Sequence, residues 1–239
     1  MCGGRVYEYL SLVVGEAGAG GHRRADANAR ARVSGWAVSA LGAVADGSSP
    51  VRAVVHPLGF TCLPMERAGR DGVCVHLWSP RVEYLEPTTS PIHAHCWQLT
   101  SYALFGRVEN RLMLVNDAAP GDGGPDIYRL LDVRSHGDTD EIRPTARLAR
   151  CVPGQRQVVG SGEVYAIASG TFHTSVVRDD EEAATVVLGR MVPGVSDRCL
   201  GLPGTSGHSV RRRVCDAEQT ATVARIVLDR LLAATACPA

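Results

Sequence analysis

Between residues 51 and 194, glycine and proline cut the chain into short runs, and this punctuation limits the fold more than any other feature. "VRAVVHPLGFTCLPMER" and "GVCVHLWSPRVEYL" are rich in β-branched and aromatic residues and are divided by the turn "AGRDG". "RVENRLMLVND", "IYRLLDVRS", "ARLARCVP", "QRQVVG", "EVYAIAS", "FHTSVVRD" and "EAATVVLGRMV" continue the pattern, with the loop "AAPGDGGPD" among them. Many short strands at this spacing predict a β-sandwich or barrel. The flanks differ in period. Residues 25–44 and 217–234 carry apolar positions at helical spacing, including Ala221, Val223, Ile226, Val227 and Leu231 in the second. The expected organisation is a helical extension over 1–50, a β-barrel over 51–194, and a loop and helix over 195–239. The run Arg211-Arg212-Arg213 is expected to begin that last helix, exposed to solvent.

Composition bounds the function. A chain of 239 residues can bury one substantial core. Its 25 basic and 25 acidic residues leave no net charge, so the concentrated positive field that nucleic acid requires is missing. Every basic residue is Arg, which excludes Schiff-base lysine chemistry and reflects the codon usage of a GC-rich genome, as in a bacterium. The start of the chain lacks the pattern of a secretory signal, and no apolar run is long enough to span a bilayer. A cytoplasmic location is therefore the expectation. Eight cysteines (2, 62, 74, 96, 151, 199, 215 and 237) are scattered with no CxxC pair, which reads as reduced, mostly buried thiols.

The chemistry concentrates in "SPIHAHCWQLTSYALFG", residues 90–106. On a strand, residues two apart share a face, so His93 and His95 are expected to point the same way. A third histidine, His173, opens a strand after the turn Ser169-Gly170 in "GEVYAIASGTFHTSVV".

These two segments resemble the two metal motifs of the cupin superfamily: a His-x-His at a strand start closed by a Gly turn at Gly106, then a Gly-led strand, a small-residue turn and a further His. The resemblance covers most of residues 88–178. It implies a double-stranded β-helix, or jelly roll, with flanking N- and C-terminal helices and a metal held inside the barrel by His93, His95 and His173. Most cupins add a Glu shortly after the second His, but this chain has Leu99 and Thr100 there, with the neutral Gln98 beside them. The likeness thus narrows to three-His cupins similar to the thiol, cysteine-type, dioxygenases. Three neutral imidazoles suit Fe, Zn, Ni or Cu better than Mg or Ca, and they leave the ion its full charge.

Other residues are weaker candidates. His76 shares a strand face with Trp78 and is the outside candidate for an acid or base in the pocket, whereas His56 reads as a core residue. Cys96 should face away from the metal, and Trp97 should share the side of His95. Tyr102, Tyr165 and Thr100 could donate hydrogen bonds into the cavity. The resemblance implies an Arg for a substrate carboxylate and a Tyr near the iron. No motif identifies them, leaving Arg107, Arg81 and Tyr165 as candidates. His136 falls in a polar loop.

The leading expectation is an Fe(II)-dependent dioxygenase acting on O2 and a small, anionic, amino-acid-like or thiol metabolite, with Tyr165, His76 and Arg107 as catalytic candidates. A non-redox Zn or Ni isomerase or lyase and a non-catalytic small-molecule-binding cupin are the alternatives. Neither a nucleic-acid nor a membrane partner is expected, and a homodimer through sheet edges is compatible with the family.

Overall fold

The computed structural model describes residues 5–15, 21–83, 85–119 and 121–236. Helix α1 (Arg5–Val14), strand β1 (His22–Arg24) and helix α2 (Ala27–Ala45) precede the main strands. These are β2 (Val54–His56), β3 (Phe60–Ala68), β4 (Asp71–Trp78), β5 (His93–Ala94), β6 (Trp97–Phe105), β7 (Arg107–Asp117), β8 (Ile127–His136) and β9 (Thr139–Gly160). After them come β10 (Glu163–Ile167), β11 (His173–Val176), β12 (Ala183–Met191), β13 (Asp197–Gly201), β14 (His208–Arg211), β15 (Arg213–Val214) and helix α3 (Ala217–Ala236).

The strands form two antiparallel sheets. One has eight strands in the order β1-β10-β6-β12-β4-β3-β2-β15, and the other has seven in the order β14-β9-β7-β11-β5-β13-β8. Strand β8 also pairs with β9, which closes the second sheet on itself with β14 left as a flanking strand. The long strand β9 absorbs two runs that the sequence reads as separate. It passes through Pro144 and Pro153 beside ladder irregularities, where a missing N–H is tolerated.

The alternation of the eight-stranded sheet divides its faces. Val73, Val75 and Leu77 of β4, Tyr102 and Leu104 of β6, and Ala184, Val186 and Leu188 of β12 pack with Leu10, Val33, Leu41 and Val227 of the helices. The opposite face carries His76, Trp78, Leu99, Ser101, Tyr165 and Val187, which line an interior cavity. Helix starts are locally encoded. Asp26 accepts a hydrogen bond from the Ala29 amide at the head of α2, and Asp216 and Gln219 exchange side-chain-to-backbone bonds at the head of α3.

Several expectations change. The helical extension expected over 1–50 contains a second helix, α1, which buries Tyr7, Leu10 and Val14. The loop expected from residue 195 onward contains β13, paired with both β5 and β8. The arginine run is in β14 and β15 or between them, because each guanidinium finds a carboxylate there: Arg211 with Asp138, Arg212 with Asp140 and Arg213 with Glu83. Cys62, Cys74, Cys96, Cys151, Cys199 and Cys215 are free thiols, and Cys2 and Cys237 lie outside the described residues. Among the described residues no helix is long and apolar enough to cross a membrane.

Candidate metal centre

The two histidines of residues 90–106 do not share one strand. His93 lies in β5, in the seven-stranded sheet, facing His173 of β11 on one side and Cys199 of β13 on the other. The chain then turns a corner at His95-Cys96 and enters β6 in the eight-stranded sheet. Backbone groups at that corner are satisfied from outside any ladder. The His95 carbonyl accepts from Gly170 N at 2.8 Å, the Cys96 carbonyl accepts from Val192 N at 2.8 Å, and the Cys96 amide donates to Asp197 Oδ1 at 2.7 Å. Gly170 adopts φ +76°, a left-handed conformation that favours glycine, in the turn that delivers His173.

The corner brings three imidazoles together. The Nε2 atoms of His93 and His95 lie 3.0 Å apart, and each histidine offers a ring nitrogen within 4.8 Å of those of the other two. Ring centroids are 4.3 Å apart for His93 and His173 and 5.3 Å for His95 and His173. His93 Nδ1 lies 2.9 Å from the Pro91 carbonyl, and His173 Nδ1 lies 3.0 Å from that of Thr171. A carbonyl can only accept, so both Nδ1 atoms carry the proton and both Nε2 atoms present lone pairs to the cluster. Burial lowers the pKa of all three, and His173 adds to the lowering at His93 and His95. The rings are neutral at pH 7, the form that ligates a metal. The donor set fits a borderline divalent ion such as Fe, Zn, Ni or Cu, because the site offers imidazole nitrogens and no carboxylate.

The cavity beside the cluster is about 50 Å3 in volume, space for only a few small groups. Its wall is aromatic and aliphatic: Phe60 stacks on His76 at 4.3 Å and tilts against Trp78 at 5.2 Å, with Leu58, Pro91, Leu99, Ile167 and Val187 around them. Its polar groups are Ser101, Tyr165 and Ser175 beside the histidines. Tyr165 is buried among Ser101, Asn110 and Thr185, and burial raises its pKa, so its hydroxyl stays protonated and able to donate. Ser175 donates to Asn110 Oδ1 at 2.7 Å, extending the polar patch into the second sheet.

The candidates therefore separate. His93, His95, His173, His76 and Tyr165 meet in one cavity. Arg107 does not. It follows Gly106 at the far end of β6 and is exposed, while its neighbour Val108 takes the inward position. A Cβ on Gly106 would stand 2.0 Å from the Glu182 carbonyl, so glycine holds that turn, well removed from the histidines. Arg81 is committed to Glu182 at 2.7 Å. Thr100 and Tyr102 have the wrong parity, and Tyr102 packs toward α2, where it meets Ser34 and Arg30. Trp97 keeps the parity of Leu99 and Ser101 but lies beyond them, over Gly189 and under the Arg67 guanidinium. Cys96 is outside the cavity lining, and burial together with Asp197 pushes its thiol to about 12. His56 stacks on Phe60 behind the wall, and His136 is exposed. Ser101 and Ser175 escaped the sequence reading, although Ser175 lies two residues after His173 and Ser101 two after Leu99, the same-face signal in each case.

Among the described residues no Arg, Asp or Glu lines the cavity. The guanidinium expected for a substrate carboxylate is thus missing from the wall.

No family model and no curated protein matches the chain. Among solved structures it is similar to "hydroquinone 1,2-dioxygenase PnpCD in complex with Cd2+ and 4-hydroxybenzonitrile", at 13% identity over 67% of this chain and 76% of that one, with a TM-score of 0.23. The case for a metal centre stands on the imidazoles themselves.

Proposed function

We propose that the chain is a cupin-type, mononuclear non-heme Fe(II) oxygenase, with His93, His95 and His173 as the iron ligands. The observation that carries this reading is the convergence of three neutral imidazoles, two with Nε2 lone pairs fixed by backbone carbonyls, at the edge of a small apolar cavity. When bound, ferrous iron supplies electron transfer to O2 and an open coordination face for a substrate donor atom.

The residues of the chain perform the remaining tasks. Pro91 and Thr171 hold the ring tautomers, and three neutral ligands leave the ion's charge uncompensated. An anionic donor atom of a small substrate is attracted by that charge, so the negative group belongs at the metal, since the wall offers it no cation. The organic body of the substrate would pack against Phe60, Trp78, Leu99, Ile167 and Val187, which also exclude water. The Tyr165 hydroxyl, with Ser101 and Ser175, supplies hydrogen bonds to the polar part of the molecule.

The test is metal analysis of anaerobically purified protein, followed by O2-uptake assays of the iron-loaded form against small thiols, phenols and enols. Near-stoichiometric iron, with substrate-dependent O2 consumption lost in His173→Ala, supports the reading. Turnover that proceeds without O2 on Zn- or Ni-loaded protein overturns it in favour of Lewis-acid chemistry. Retained ligand binding in His93→Ala with no metal in the wild type would make the chain a binding protein.

A further inference from the structure

Beside the histidine cluster lies a second group of ligating side chains that the proposed oxygen chemistry leaves unused. Cys62 of β3 stands directly opposite His76 of β4, and Cys74 precedes His76 by two residues on the same strand. Cross-strand partners and residues two apart project from the same face, so the ladder itself sets all three side chains together. Their Sγ and ring-nitrogen atoms lie within 4.8 Å of one another. Both cysteines are free thiols, Cys74 buried and Cys62 partly so. Arg67 Nη2 donates to Cys74 Sγ at 3.2 Å.

We propose that Cys62, Cys74 and His76 form a second metal site, selective for a thiophilic divalent cation such as Zn2+. Ligand atoms about a tetrahedral zinc stand roughly 3.5–4 Å apart, so closing this triangle takes shifts of about 1 Å or less per side chain. The N–H···S bond from Arg67 favours the thiolate and restricts its direction, as outer partners of metal ligands do. Two thiolates and one neutral imidazole cancel the charge of the ion, so the cation can be held in a partly buried place without a residual charge. The two clusters then differ in kind. Three imidazoles keep a full positive charge beside the cavity, whereas two thiolates and an imidazole make a neutral, softer site, with the fourth tetrahedral position left to water, that draws Zn2+ away from the first.

The consequence falls on His76. Its ring lines the cavity and stacks on Phe60, so a metal held by Cys62, Cys74 and one His76 nitrogen would brace the aromatic wall. His76 would then be a positioning residue rather than a proton carrier. This inference does not depend on the oxygenase reading, since it concerns different ligands.

Cobalt titration of the full-length, chelator-stripped protein tests it under anaerobic conditions. A thiolate-to-cobalt charge-transfer band in the near ultraviolet, with about two Co2+ bound per chain, is the expected result. Cys74→Ser should abolish the band and release one equivalent, and His173→Ala should keep the band while releasing the other. If Cys74→Ser loses its far-UV circular dichroism signal, Cys62→Ser replaces it. Alkylation of the wild-type thiols adds a second measurement, which Zn2+ should slow about tenfold or more. No thiolate band, an alkylation rate unchanged by Zn2+, or a Cys62–Cys74 disulfide in the protein as isolated overturns the proposal. A missing His173-dependent equivalent with the band intact would count against the three-histidine reading alone.

Discussion

The two faces of the eight-stranded sheet are made from the same strands and have opposite chemistry. In β4, Val73, Val75 and Leu77 turn toward the helices, while Cys74, His76 and Trp78 turn inward. In β6, Tyr102 and Leu104 meet the helices, and Leu99 and Ser101 meet the cavity. The helix-facing side is almost wholly aliphatic, and each of its side chains gains by leaving water. The inward side buries polar atoms at a cost, including Thr185 Oγ1 and Trp78 Nε1, which meet no partner among the described residues. A face that gives up stability to keep polar groups is where function is expected, and the outer face supplies the free energy that permits it.

The most damaging change to the inner side is His173→Ala. Outer partners of metal ligands are worth about 10- to 100-fold in affinity, so if His173 ligates a metal as proposed, its loss should weaken metal binding by more than about 100-fold. The fold should survive, because His173 leaves the outer core untouched. Metal titration beside thermal unfolding measures both. The matching change on the outer side is Leu77→Ala, at a position with no solvent exposure. It should cost about 2–5 kcal/mol in urea unfolding through lost burial and the cavity left behind, with the metal affinity of the folded protein unchanged. If Leu77→Ala loosened metal binding as much as His173→Ala, the division of labour between the faces would be broken.

The division was legible in the sequence as alternation, and the imidazole cluster as three histidines in two segments. The corner was not. Residues 90–106 alternate as one strand would, yet the chain leaves one sheet at His95 and enters the other at Trp97. The partners that stabilise this break are Gly170, Val192 and Asp197, each more than seventy residues away in sequence. Local periodicity carries no trace of such contacts. The same limit hid the short strand β13, whose hydrogen bonds lie with β5 and β8, and misplaced Arg107, whose side of the sheet depends on how the chain turns at Gly106. Tyr102 and Tyr165 were both candidate hydrogen-bond donors into the cavity, and register sets Tyr165 opposite Ser101 and Tyr102 opposite Val164.

Those two tyrosines sharpen the comparison at lower amplitude. Each loses one hydroxyl on change to Phe, Tyr165 from among Ser101, Asn110 and Thr185 and Tyr102 from Ser34. Both variants should lose about 1 kcal/mol of stability. Only Tyr165→Phe should change turnover or the affinity of a metal-bound ligand, and steady-state kinetics of the two variants side by side would reveal it. Equal kinetic effects would mean that Tyr165 contributes packing alone.

The smallest effect concerns the rim that ties the helices to the outer face. Glu182, just before β12, binds Arg81 at 2.7 Å and Arg230 of α3 at 2.6 Å. Burial alone would raise its carboxyl, but hydrogen bonds from Arg81, Ser79 and Arg230 outweigh it and hold the pKa at about 2, against an ordinary 4.5. The unfolded chain therefore takes up this proton first as the solution is acidified. The stabilisation is present in full above pH 4.5 and is lost as the pH falls toward 2. Both arginines are about half exposed, so solvent screening limits the contribution to about 1 kcal/mol. Glu182→Gln should lower the unfolding midpoint at pH 7 and converge with the wild type near pH 2, with metal affinity at neutral pH unaffected. A difference from the wild type that stayed constant across that range would assign the effect of Glu182 to packing against α3 rather than to its charge.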